Sequence, residues 1–181
     1  MKITISGNLG SGKSTVAKML AKDLGYSHYS TGDFMRKMAE ERGITLLELG
    51  KIAENDSSID YELDDYQKKL GEENDNFVLD ARLGFHFLPD SKKIFLQVEE
   101  KVGAERIHRG LLKKEEGREN EGIKDDFEEV FKALKERRAC ERIRYEQFYG
   151  VDYEDLIQFD IIIDTTKITA TETVLSIKEK L

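Results

Sequence analysis

Cysteine and proline are almost missing from this 181-residue chain, with one of each. Cys140 alone permits no internal disulfide and no cysteine-based zinc site, a pattern suited to a reducing compartment. With Pro89 the only proline, no proline-rich linker divides the chain. Long apolar runs are lacking too, since no stretch approaches the roughly 20 residues of a membrane-spanning helix. The first residues enter an apolar strand pattern directly, without the basic and then apolar leader of a secreted protein, so a cytoplasmic location is expected. Basic residues number 29 against 37 acidic ones, a net charge of −8 that disfavours nucleic acid and anionic membranes as partners. His28, His86 and His108 show no metal-ligand spacing and read as structural. The length suits a single domain with one main core, and specificity must then come from insertions into it.

What is present is a phosphate-binding loop. After the apolar run 3–5, the chain reads Gly7-Asn8-Leu9-Gly10-Ser11-Gly12-Lys13-Ser14-Thr15. Gly7, Gly12, Lys13 and Ser14 satisfy G-x-x-x-x-G-K-[ST], in which glycines let successive backbone N–H groups turn inward around phosphate oxygens. Lys13 supplies a compact charge for the β and γ phosphates of ATP, and the Ser14 hydroxyl is placed to ligate Mg²⁺. Val16, Ala17, Met19, Leu20 and Leu24 follow at helical spacing, so a helix N-terminus lies beneath the phosphates, where its dipole favours anions.

Short apolar runs alternate with amphipathic segments, the signature of parallel strands joined by helices. Strands are predicted at 2–6, 26–29, 76–80, 93–98 and 159–164, giving a five-stranded parallel, doubly wound α/β sheet. Phe77-Val78-Leu79 and Ile161-Ile162-Ile163 are apolar on both faces, as strands covered on both sides should be. The about 45 residues between the second and third strands exceed what one crossover helix requires. They read as an inserted helical lobe, 31–75, with helices at 33–42, 45–55 and 59–70. Thr45 and Glu48 stand in capping-box register, and Ile59, Leu63, Tyr66 and Leu70 share one face. A second insertion, 110–126, is rich in Lys, Glu and Gly and reads as a short mobile lid. The core is then 1–30, 76–109 and 127–181.

Ser30-Thr31-Gly32-Asp33-Phe34-Met35-Arg36 follows the second strand, and here the chain resembles the nucleoside monophosphate kinases. The resemblance implies a P-loop kinase fold in which Thr31 touches the base or ribose of the acceptor nucleotide, with Gly32 and Asp33 also on the acceptor side, and Arg36 holds its phosphate. Read on their own, Ser30 or Thr31 could cap a helix and Arg36 could be a solvated charge. Leu79-Asp80-Ala81-Arg82-Leu83-Gly84, after the third strand, is similar to the family's acidic-Gly-Arg element. By that likeness Asp80 contacts Mg²⁺ through water and Arg82 binds the acceptor phosphate. A loop cap and a surface charge are the plainer alternatives. Farther on, Arg137, Glu141 and Arg144 lie at i, i+4 and i+7 on one helix face, within a run that also holds Arg142. Bacterial cytidylate kinases carry a similar run whose arginines clamp phosphates, which implies catalytic roles for Arg137, Arg142 and Arg144 alongside Lys13 of the loop and Arg82. The acceptor side would further include Glu141. Arg106 and Arg109 flank the start of the lid, where related kinases place arginines that reach the transferring phosphoryl group or stack on adenine.

Over nearly its whole length the chain resembles the short archaeal-type cytidylate kinases. It shares their Met-Lys-Ile-Thr-Ile-Ser-Gly opening, a segment like Arg144-Tyr145-Glu146-Gln147-Phe148-Tyr149-Gly150-Val151-Asp152, and a final strand like 159–166. The expected reaction is ATP-dependent phosphorylation of CMP or dCMP by a monomer, with adenylate kinase or a kinase for another small phosphorylated metabolite as the alternative. Such transfer needs alignment, charge neutralisation and dryness more than covalent help. Leu83 stands where bacterial relatives have a cytosine-reading acid, Ala81 replaces a glycine, and Asn8 replaces a proline or serine. The pyrimidine amino group is expected near Leu83 and Asp33, without a residue assigned to face it. A GTPase-like switch would need [NT]-K-x-D, and Thr166-Lys167-Ile168-Thr169 lacks the aspartate. A regulatory ATP-binding protein would have no use for Arg36, Arg82 and the arginines of 137–144.

Overall fold

The computed structural model describes residues 1–53, 56–113 and 126–181. Five parallel strands form one sheet: β1 (Lys2–Gly7), β2 (Ser27–Ser30), β3 (Phe77–Asp80), β4 (Lys92–Gln97) and β5 (Ile161–Asp164). Their order is β2-β3-β1-β4-β5, so β1 is central and the winding reverses beside it. In such a sheet the crevice at the carboxyl ends near the reversal is where ligands sit. Register carries the consequence: Ile5 and Ser30 both pair with Asp80, while Gly7 pairs with Leu96. The ends of β2 and β3 are therefore level, with β1 running on two residues beyond them to Gly7, so the loops leaving all three emerge on the same edge of the sheet.

All five predicted strands form, within about two residues of the expected bounds, a normal spread for strand ends. Phe77, Val78 and Leu79 have no exposed surface, as a doubly covered strand requires. β5 differs from expectation. It is an edge strand, and Ile162 is 37% exposed while Ile161 and Ile163 are buried. An apolar run reports affinity for burial, but only sheet order decides whether both faces are covered.

One face of the sheet is closed by α1 (Lys13–Leu24) and α8 (Ala170–Lys178), with Val16, Leu20 and Ile177 against Ile3, Ile5 and Ile94. The capping box of Thr169 and Glu172 starts α8. The other face is aromatic: Phe95, Phe159 and Phe85 cluster with Tyr145 and Tyr153 and enclose Leu83. Along that face lie α6 (Glu100–Leu112) and α7 (Phe127–Tyr149), joined through Ala104, Ile107, Val130 and Leu134. A short helix, α5 (Gly84–Phe87), precedes β4.

The insertion between β2 and β3 is helical: α2 (Thr31–Glu41), α3 (Leu46–Ala53) and α4 (Ser58–Glu73). Met38, Leu49 and Ile59 give it a small core of its own, and Phe34 stacks on Tyr66 at 4.7 Å. Thr45 and Glu48 make the reciprocal capping bonds expected of them. α2 starts earlier than the predicted 33 because Ser30 Oγ accepts from the Asp33 N–H and caps it. The predicted end of the second helix at 54–55 lies outside the described residues. So does most of the expected lid, of which only 110–113 and 126 are described.

Candidate functional site

The phosphate loop leaves β1 through backbone that only glycine fits. Gly7 has φ +146°, and a Cβ there would stand 2.2 Å from the Leu96 carbonyl oxygen. Gly10 has φ +75°, and its Cβ would meet the Gly103 carbonyl oxygen at 2.2 Å. The loop thus lies against α6 backbone to backbone. Gly103→Ala is expected to push the two apart, since its own Cβ would meet the Leu9 carbonyl oxygen at 2.5 Å. The expected loss is about 1–3 kcal/mol in a denaturant titration, and an unchanged midpoint would show that the contact yields freely.

Gly12 occupies the N-cap of α1 in left-handed conformation and offers no side-chain cap. The first N–H groups of that helix therefore remain available to an anion. Lys13 Nζ donates to the carbonyls of Gly7 (2.9 Å) and Asn8 (3.0 Å), holding the loop in a closed ring. Burial and then the nearby Arg82 charge bring the pKa of Lys13 down to about 7, with Asp80 and Glu141 pulling the other way. A phosphate arriving beside this ammonium would reverse that balance. Ser14 Oγ donates to Asp80 Oδ2 at 2.5 Å, which brings a hydroxyl and a carboxylate together at the end of the loop. Such hard oxygen donors suit Mg²⁺, which keeps several waters and takes few protein ligands.

Opposite the loop stands a shared carboxylate. Glu141, on α7, pairs with Arg82 Nε from the turn after β3 and with Arg137 Nε at 3.0 Å. Burial opposes its ionisation, yet the two guanidinium groups outweigh burial and bring its pKa down to about 2. The ring of Tyr153 underlies the Arg82 guanidinium at 5.9 Å. Arg144, one turn on, is 7% exposed, and its guanidinium bonds the Gly50 carbonyl and the Tyr145 hydroxyl. It therefore ties α7 to the helical insertion. Thr31 Oγ1 donates to the Asp80 carbonyl, and Arg36 pairs with Asp33 at 2.5 Å.

One cleft gathers most of these groups. It is lined by Leu9, Gly10, Gly12, Lys13, Ser14 and Thr15 of the loop and the start of α1, and by Thr31, Gly32, Arg36, Asp80 and Arg82 with Arg137, Glu141 and Arg144. Several expected residues lie elsewhere. Arg142 points off the cleft-facing side of α7, more than half exposed, and pairs with Asp152 at 3.1 Å. A neighbour of Glu141 in sequence is turned about 100° around the helix, so it cannot share the face of Glu141. Arg109 is exposed on α6, outside the cleft lining. Arg106 lies behind the loop, where it donates to the carbonyls of Thr165 (2.7 Å) and Gly10 (3.5 Å) and braces the loop against the end of β5. Asn8 is spent on structure, accepting from Val98 N–H and donating to Glu154. Ser11 is buried, with its hydroxyl unbonded among the described residues.

The two residues expected near the base separate as well. Leu83 is 5% exposed and part of the aromatic core, touching the cleft only at its margin. The Asp33 carboxylate is more than half exposed. The structure adds residues that sequence reasoning missed: Asp60, Asp64 and Gln67 on α4, and Tyr145 and Tyr149 on α7, all lining the cleft. Their i, i+4, i+7 spacing on α4 is visible in the sequence, but a polar stripe of that kind reads as a solvated face.

The family model of the cytidylate kinase-like family matches residues 2–167 of the chain. A cytidylate kinase of Methanocella arvoryzae is 39% identical over 167 residues, spanning 92% of this chain and 89% of the relative. One of Natronomonas pharaonis is 40% identical over 171 residues, 93% of this chain and 83% of that protein. Among solved structures, a shikimate kinase from Bacteroides thetaiotaomicron superposes with a TM-score of 0.62 at 18% identity, covering 99% of this chain and 96% of that one. That likeness establishes the architecture as a P-loop kinase fold.

Proposed function

The chain belongs to the cytidylate kinase-like family, and from that membership we propose that it transfers the γ-phosphoryl group of ATP to CMP or dCMP. The observation that supports this best is the division of the cleft. A phosphate loop occupies one side, and arginines gathered around the single carboxylate of Glu141 occupy the other. A phosphoryl group passing between two nucleotides spreads charge over its equatorial oxygens and needs donors on both sides at once.

In this reading the backbone of 7–15 and Lys13 hold the β and γ phosphates over the N-terminus of α1. Arg36 and Arg82 hold the acceptor phosphate, with Thr31 and Gly32 beside it. Arg137 faces the phosphoryl group in flight, with Glu141 orienting both Arg82 and Arg137. Ser14 directly and Asp80 through water would hold Mg²⁺, which when bound neutralises charge on the β and γ phosphates. The acceptor phosphate is largely ionised at neutral pH, so no side chain is required as a general base. The helical insertion 31–75 serves as the acceptor-binding lobe on the core 1–30, 76–109 and 127–181. The enzyme works as a cytoplasmic monomer on free nucleotides, consistent with its net charge of −8; no helix among the described residues is long and apolar enough to cross a membrane.

A coupled assay of ADP release with CMP, dCMP, UMP, AMP and GMP tests the proposal. Turnover with CMP and dCMP above the others is expected. Failure of all five as acceptors would overturn the kinase assignment.

A further inference from the structure

The least explained part of the cleft is its α4 wall. Asp60, Asp64 and Gln67 are only 4%, 5% and 2% exposed, although the cleft reaches all three. Burying such groups is costly unless they are hydrogen-bonded. Here the bonding is incomplete. Gln67 Nε2 donates to the Leu63 carbonyl, which leaves Gln67 Oε1 with no partner among the described residues. Asp60 Oδ2 lies 3.6 Å from Arg144 Nε, too far for a hydrogen bond, and both atoms go unbonded among the described residues. The Asp64 oxygens share a single proton, that of the Tyr149 hydroxyl, at 3.0 and 2.9 Å. A carboxylate has about four acceptor sites, so most of the capacity of Asp64 is unused.

The wall is thus rich in acceptors, with one unbonded donor in Arg144. Building on the kinase reading above, we infer that Asp64 and Gln67, with Arg144 beside them, are the specificity-determining residues that read the base, by accepting from its exocyclic amino group. The 4-amino group of cytosine carries two donors, and its ring N3 and O2 are acceptors that suit the Arg144 donor. Uracil inverts the first of these contacts, setting its O4 oxygen against the carboxylate of Asp64. A buried site built to bond a donor rejects an analogue that lacks it, because its own acceptors are then left unpaired. Burial supports the same assignment by raising the pKa of Asp64 to about 6, since a ligand donor would relieve that cost. The elements fit as well. Lys13 opens α1 and Asp80 ends β3, while Asp64 and Gln67 come from α4 of the helical insertion, and all four line the same cleft.

CMP and UMP differ only at this edge of the base, so their kcat/KM ratio is the readout. In Asp64→Asn the side chain presents an N–H₂ where only acceptors stood, and the CMP to UMP ratio is expected to fall about 10- to 100-fold. The change should appear chiefly in the KM of the acceptor, with the KM for ATP within about twofold of the unaltered enzyme. Tyr149→Phe removes the hydroxyl from Asp64 without touching the acceptors and should keep the ratio. Gln67→Leu, which deletes an unbonded acceptor and leaves the Tyr149 bond intact, should lower the ratio independently. If Asp64→Asn slows CMP and UMP equally, or Tyr149→Phe reproduces its ratio, the residue is structural and the inference fails. An unaltered enzyme that uses CMP and UMP equally well would also overturn it while leaving the kinase reading intact. An enzyme that phosphorylates neither would overturn the kinase reading itself.

Discussion

Arg82→Ala is expected to slow phosphoryl transfer about 10³-fold while changing ATP affinity by no more than about threefold. Arg82 leaves the end of β3 beside Asp80 and faces the cleft, its guanidinium pinned between Glu141 and the Tyr153 ring. A planar donor held in that way can meet phosphoryl oxygens without first paying to be ordered. ATP binding should survive the loss for a specific reason. Repulsion from Arg82 is one cause of the depressed pKa of Lys13. Removing Arg82 leaves Lys13 more fully charged, and that gain offsets the lost long-range attraction for triphosphate. The fold should persist because Glu141 keeps Arg137 as its partner. Single-turnover rates with CMP, set beside the ATP dissociation constant from titration calorimetry, decide the matter. Parallel loss of rate and ATP affinity would place Arg82 on the donor side instead. Arg82→Lys should restore little, because an ammonium cannot hold Glu141 and a phosphate in the same planar geometry.

The residues that carry this prediction are legible in the amino-acid sequence, and the reason is chemical. A phosphate loop demands particular residues at fixed offsets, so Gly7 to Thr15 announce themselves. Parallel strands demand apolar runs, so β1, β3, β4 and β5 stand out, whereas β2 at the sheet edge reads Ser27-His28-Tyr29-Ser30 and is only partly buried. Arg137, Glu141 and Arg144 share a helix face by spacing alone, which is why they meet in the cleft while Arg142 does not. What stays hidden depends on tertiary order. The exposure of Ile162 follows from the place of β5 at the sheet edge, which no local pattern encodes. The roles of Arg106 and Asn8 as braces follow from backbone carbonyls and N–H groups far away in sequence. The polar wall of α4 is the sharpest instance. Ile59, Leu63, Tyr66 and Leu70 form the face that hydrophobicity predicts, and the neighbouring stripe through Asp60, Asp64 and Gln67 is nonetheless buried. Burial of polar groups runs against their intrinsic preference, so it marks a demand that the fold alone does not explain. A linear likeness points to Leu83 and Asp33 as neighbours of the base. The structure moves the question to α4.

Glu141→Gln carries the second large effect, and it is felt first in stability. The carboxylate is nearly buried and neutralises two arginines at once, so withdrawing its charge leaves two cations facing each other with one partner less. Breaking a buried pair of this kind costs about 3–5 kcal/mol. The pKa argues for a similar size, since a fall from 4.5 to about 2 amounts to about 3 kcal/mol of preference for the ionised form in the folded state. A drop in melting temperature of about 6–20 °C at neutral pH is expected for a chain of this length. The pH dependence gives the charge away. Because the folded pKa lies below the unfolded one, the contribution of Glu141 is complete above pH 4.5 and is lost as pH falls toward 2. The stability gap between the unaltered protein and Glu141→Gln should therefore be flat above about pH 5 and close on acidification through that window. Denaturant midpoints collected from about pH 7 down to about pH 2.5 measure it. A gap that keeps its full size at the acid end would mean that shape rather than charge holds the arginines. Nucleotide should narrow the gap at neutral pH by another route, because phosphates arriving at Arg82 and Arg137 supply the negative charge that the glutamine lacks. In the reaction proposed above, Glu141 is then a resident anion that keeps Arg82 and Arg137 turned toward the place where the phosphoryl group passes.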